Sequence, residues 1–163
     1  MVNSDLIQDA IDVAEFVKTY FKPQYGFVDN NTVRICLNDL CNQCALPIRY
    51  SDGWAPGLEL DQWKFVIYLR KTSSQITDNF YIGMALGRFF LQTKCGADKR
   101  EYYSDWRNQE IQARRFAAEL LLPIPLFVEK YKEFNGSLGW LSAFFQIATP
   151  PIEQRAKYTI GIL

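Results

Sequence analysis

Two charged side chains stand where apolar ones are expected. Arg88 is the one charged residue between Asn79 and Leu91, and at helical spacing it shares a face with Phe80, Met84 and Leu91. Glu110 interrupts a second stripe, Trp106, Ala113, Ala117 and Leu120, falling four residues after Trp106 and three before Ala113. A guanidinium in apolar company is costly unless it is paired and hydrogen-bonded. The two residues therefore predict a bidentate ion pair between neighbouring helices; in the alternative arrangement both tips reach solvent at opposite helix ends. Gly83 and Gly87, four apart beside Arg88, predict close approach of another backbone, since each costs about 1 kcal/mol in a helix interior.

Other chemistry is excluded by one count. The chain has no histidine, so Ser-His-Asp triads, Cys-His dyads and histidine-ligated metals are impossible. Cys36, Cys41, Cys44 and Cys95 offer a C-x-x-C pair at residues 41–44, yet no second pair completes a zinc site. Three of them fall in one predicted helix, where disulfide geometry is disfavoured. They are read as small buried hydrophobes of a reducing cytoplasm.

The elements that must position these residues follow from periodicity. Helices are expected over residues 5–21, from a cap at Asn30-Asn31-Thr32 through Cys44, from an Asp78 cap to about Thr93, over 105–122, over 125–134, over 138–147, and from Pro150-Pro151 to near Gly161. Short strands are expected at residues 48–50, 58–61 and 64–70. The class is α+β, a small three-stranded sheet packed against several helices with an extra N-terminal helix. One domain spans 1–163, with 1–29 as a helical extension and 30–163 as the core. The helix carrying Arg88 is apolar almost all round and is expected at the centre.

With 163 residues, 48% hydrophobic, the chain supports one packed domain. Lys plus Arg and Asp plus Glu number 18 each, a balance that disfavours duplex DNA as the main ligand and suits self-association, a homodimer included, or a standing protein partner. The first residues do not form a signal peptide, and the longest apolar stretch, 80–91, falls below the roughly 20 residues of a membrane span.

The run from Asn79 to Gln92 resembles the active-site helix of the ImmA/IrrE metallopeptidases, R-F-T-L-A-H-E-L-G-H-x-x-L-H, aligned on Phe80, Leu86, Gly87 and Leu91. Residues 110–123, EIQARRFAAELLLP, are similar to that family's E-x-x-A-N-x-F-A-A-x-L-L-M-P. The closing segment, 138–147 and then 151–163 with Arg155, is similar as well. The resemblance implies a minimal zincin-like fold over about residues 30–163. It implies that Met84 stands for the first zinc ligand, Ala85 for the general base, Arg88 for the second ligand and Glu110 for the third. A thioether is a poor zinc ligand beside harder donors, and a guanidinium cannot shed its proton to bind a cation. No metal or cofactor is therefore expected, and hydrolysis by this mechanism is expected to be lost. Arg88 is expected to replace the ion as the charge that compensates Glu110.

Active relatives in the family cleave helix-turn-helix repressors of phages and mobile elements. The resemblance thus implies a pseudo-peptidase that binds such a repressor as an antirepressor, through Met84, Ala85, Arg88 and Glu110 and a groove edged by Val66-Ile67-Tyr68. Two other readings are weaker: a non-metal hydrolase using Glu110, Asp105, Tyr102, Tyr103 and the cysteines, and DNA binding through the C-terminal helix pair. In that pair Trp140, Phe144, Phe145 and Ile147 are expected in the core, leaving Arg155 and Lys157 as the cations. Aromatic residues near the N-terminus (Phe16, Tyr20, Phe21, Tyr25 and Phe27) suit either internal packing or an interface.

Overall fold

A long apolar helix, α3, runs from Gln75 to Cys95 and organises the rest of the chain. In the computed structural model, residues 4–21, 33–53, 55–95 and 106–161 are described. Before α3 come α1 (Ser4–Tyr20), α2 (Val33–Gln43) and three strands, β1 (Ile48–Ser51), β2 (Gly57–Asp61) and β3 (Lys64–Arg70). After it come α4 (Trp106–Leu121), α5 (Ile124–Glu133), α6 (Leu138–Phe145) and α7 (Thr149–Ile160). The architecture is α+β. No helix among the described residues is long and apolar enough to cross a membrane.

The sheet is mixed, in the order β1-β3-β2. β1 lies parallel to β3 with Ile48 opposite Ile67, and β2 is antiparallel with Leu58 opposite Ile67. The 66–68 segment was expected at an edge. It lies instead in the central strand, flanked on both sides, so its backbone is committed to the ladder and cannot receive another strand. A hairpin joins β2 to β3 through Gln62 and Trp63, both left-handed with φ of 45° and 75°. Such two-residue turns match the sheet twist but normally recruit Asn or Gly, which is why neither residue advertised a tight turn.

α3 begins a turn earlier than expected. Ser74, not Asp78, takes the cap, its Oγ accepting from the Thr77 N–H at 3.3 Å. Asp78 falls inside the helix, buried, where it accepts from the Ser73 hydroxyl. Asn79 is fully buried and donates to the Gln146 carbonyl at 2.9 Å, tying the start of α3 to the left-handed end of α6.

Ile82, Ala85 and Leu86 on α3 are buried, as are Ala113, Phe116, Ala117 and Leu120 on α4. α1 packs along α4 through Ala10, Val13, Ala14 and Val17, spaced as one helical stripe. Its Leu6 carbonyl accepts from Gln112 Nε2 at 3.2 Å. The N-terminal helix is thus bonded into the core.

Two aromatic residues expected inside, Trp106 and Trp140, are outside, and Phe16, which suited either packing or an interface, is outside as well. Trp106 opens α4 and is 67% exposed, Trp140 on α6 is equally exposed, and Phe16 faces water beside Tyr20, ring centroids 5.6 Å apart. Phe144 is half-buried, whereas Phe145 and Ile147 are buried as expected. Cys44 lies in the turn just after α2 and not within it. The expected cap at residues 30–32, Trp54, Tyr25, Phe27, Tyr102, Tyr103 and Asp105 lie outside the described residues.

Candidate functional site

Close contact between α3 and α4 creates the site. A Cβ built on Gly83 would stand 2.9 Å from Leu121 Cδ1, and one on Gly87 would stand 2.8 Å from the Phe116 ring. These are separations that carbon atoms do not tolerate, so the glycines are what permits the helices to approach. Antiparallel packing at that distance brings Arg88 to Glu110.

The Arg88 Nη2 group donates to Glu110 Oε2. Arg114, one turn further along α4, donates from Nε to the other oxygen, Oε1, at 2.9 Å. Both carboxylate oxygens are therefore held by guanidinium groups. The expected pair forms, but through one Arg88 nitrogen and not as a bidentate fork, because Arg114 holds the second oxygen; nor is it sealed, since the Arg88 and Glu110 side chains keep 24% and 26% of their exposure. Arg88 Nη1 passes 3.5 Å from where a Cβ on Gly57 would lie, which puts the guanidinium against the start of the outer strand β2. Arg88 Nε is buried and finds no acceptor among the described residues. Met84 and Ala85, by contrast, are buried in the core. Of the four singled-out residues, only Arg88 and Glu110 reach water.

A second, more deeply buried cluster lies two turns further along α4. Arg155 of α7 forms a fork on Glu119, Nη1 to Oε1 at 2.8 Å and Nη2 to Oε2 at 3.0 Å, and its Nε donates to the Leu122 carbonyl at 2.9 Å. Arg115 Nε lies 2.9 Å from the same Glu119 Oε1. Burial pushes the Glu119 carboxyl up, but the hydrogen bonds and charge of Arg155, with the charges of Arg115 and Lys18, together outweigh it. The net effect holds Glu119 below the ordinary carboxylate range. Reading the sequence missed this partnership. Its signal was Arg155 itself, on the buried stripe Ile152, Arg155 and Thr159.

That geometry also fixes the cations of the C-terminal helix pair. Arg155 is engaged internally, and Lys157 pairs with Glu153 on its own helix at 3.1 Å. The C-x-x-C pair carries no activated thiol. Burial, with the nearby Cys44, pushes Cys41 up to about 12, and burial pushes Cys44 up to about 11. Both are therefore protonated at neutral pH and poor nucleophiles.

Zinc would be held, on the resemblance described above, among residues 84, 88 and 110. The side chains there do not fit it: Met84 presents a buried thioether, Arg88 a fixed positive charge, and Glu110 a carboxylate whose two oxygens already bind guanidinium groups.

Among curated proteins none matches the sequence. Residues 44–157, however, match the IrrE N-terminal-like domain of the M78 peptidases, a span that holds the sheet, α3, α4 and the Glu119–Arg155 fork. The ion pair that crosses from α3 to α4 therefore lies on the family's own framework, and the chain belongs to the IrrE N-terminal-like domain family.

Proposed function

We propose that this chain is a non-cleaving member of its family that acts by binding a protein partner, the leading class being a helix-turn-helix repressor of a phage or mobile element. The observation that carries the reading is the Arg88–Glu110 pair. A permanently charged guanidinium sits on the residue where the family's framework would place a metal ligand, and it occupies the carboxylate that would be another. The general-base position holds Ala85, so no side chain there can take a proton from water.

What remains is a polar cluster, Arg88, Glu110 and Arg114, that reaches solvent next to β2. Such a cluster recognises charged and hydrogen-bonding groups without reacting with them. The candidate binding surface is thus this cluster with β2, in place of the 66–68 segment.

Affinity capture from the native host, followed by mass spectrometry of intact partners, tests the proposal. Recovery of an uncleaved helix-turn-helix regulator at stoichiometric ratio is the expected result, with binding weakened in a Glu110→Lys variant. Zinc-dependent cleavage of that regulator by the purified chain would overturn it.

A further inference from the structure

α4 carries an unbalanced charge. Four guanidinium groups, Arg88, Arg114, Arg115 and Arg155, share two carboxylates, Glu110 and Glu119. In a chain of zero net charge this leaves one positive charge in excess in each of the two neighbouring clusters.

Three of these arginines, Arg114, Arg115 and Arg155, line one groove between α1, α3, α4 and α7. Its remaining walls are mainly apolar, with Ile7 from α1, Phe80 from α3, Ile111 and Ala118 from α4, and Tyr158 from α7. Among the described residues no acidic one lines it. Its volume is about 300 Å³, the space of roughly ten waters and the lower end of small-molecule pockets. Arg114 is half-exposed, and Arg115 Nε is buried without an aligned acceptor although Glu119 lies 2.9 Å away. Donors are thus present at the groove that Glu110 and Glu119 do not saturate.

We propose that this groove binds a small anionic amphiphile, with an apolar body of about ten non-hydrogen atoms against Ile7, Phe80, Ile111 and Tyr158 and an anionic head, carboxylate or phosphate, on Arg114 and Arg115. Apolar walls supply affinity through burial, and the excess guanidinium charge selects the head. A bound head group competes for Arg114, which otherwise holds Glu110 Oε1. Occupancy of the groove is thereby coupled to the Arg88–Glu110 cluster. The inference stands whether or not the chain cleaves.

Isothermal titration of the full chain with decanoate below its micelle concentration tests it, with decanol as the neutral isostere and decyl phosphate as the second anionic head. Saturable one-to-one binding of both anions is expected, at least tenfold tighter than decanol. Arg114→Gln should weaken decanoate about tenfold and leave decanol unchanged. Gln154→Trp, at an exposed position of the groove wall, should weaken all three at least tenfold without lowering the melting temperature; Ala118→Leu serves the same purpose should that variant fail to fold. Equal affinity for decanol and decanoate, no saturable binding, or undiminished binding by the groove-filling variant would each overturn the proposal. So would an acidic leucine-containing peptide that binds where decanoate does not, since the groove would then be a protein-docking surface.

Discussion

Glu110 and Glu119 lie nine residues apart on α4, and each is held by an arginine of another helix and by an arginine four residues away on its own. The chemistry is the same, but the surroundings are not. Arg88 and Glu110 retain about a quarter of their exposure, whereas Arg155 and Glu119 retain 2% and 8%. Water competes for the first pair and screens it, so its net contribution is small. The second pair has no such alternative: each charge is stable inside because the other is there. Exposure, and not residue type, thus separates a cluster that can exchange partners from one that fastens α7 to α4.

The sharpest way to break this comparison is to remove one arginine from the buried fork. Arg155→Ala leaves Glu119 with Arg115 alone and frees the Leu122 carbonyl. A loss of about 3–5 kcal/mol is expected, the cost of stranding a buried charge, read as a lower urea midpoint. A loss under 1 kcal/mol would mean that water reaches the fork and that the two clusters are alike.

Acid should discriminate the clusters next. Glu119 is held below its ordinary value of 4.5 in the fold. The unfolded chain therefore takes up this proton more readily than the folded one. The stability that Glu119 contributes is complete above its unfolded value and is lost as pH falls through the folded one. Unfolding monitored from pH 6 to pH 3 should show stability declining below about pH 4.5. In Glu119→Gln the decline should be shallower, starting from a less stable protein.

Gly87→Ala tests the contact on which the exposed cluster depends. The added methyl would meet the Phe116 ring at 2.8 Å. Overpacking of this kind costs about 1–3 kcal/mol, offset in part by the roughly 1 kcal/mol that alanine gains over glycine in a helix. A net loss of up to about 2 kcal/mol is expected, measured by thermal unfolding. α3 should shift away from α4 at Arg88, lengthening its contact with Glu110.

Much of this arrangement was legible in the chain, and the parts that were not share a cause. Periodicity placed each described helix and strand because burial on one face imposes a spacing. Arg88 and Glu110 could be paired because each interrupts its own apolar stripe, and Gly83 and Gly87 marked the approach that joins them. Strand order is different: β3 takes the centre because β1 crosses over to lie parallel to it, and nothing local in residues 64–70 encodes that. Trp106 fits the α4 stripe by spacing but opens the helix, where its neighbours no longer cover it. Glu119 escaped notice because it sits among apolar residues in a run read for its family pattern, and its partner is 36 residues away. Local spacing shows which side chains turn inward; it does not show which of them meet.

The smallest expected effect is the most diagnostic for function. A double-mutant cycle with Arg88→Ala and Glu110→Ala should give a coupling of at most about 1 kcal/mol, falling as salt is raised from 0.05 M to 0.5 M. Arg114 explains part of that modesty, because it keeps one oxygen of Glu110 engaged when Arg88 is gone. Adding Arg114→Ala should therefore raise the cost of losing Arg88, since the carboxylate is then left with no guanidinium. A weak coupling that depends on salt is what a surface able to trade its internal partner for an external one requires. A coupling above about 3 kcal/mol that is insensitive to salt would place Arg88 and Glu110 in the same class as the buried fork, and the partner surface would have to lie elsewhere on the molecule.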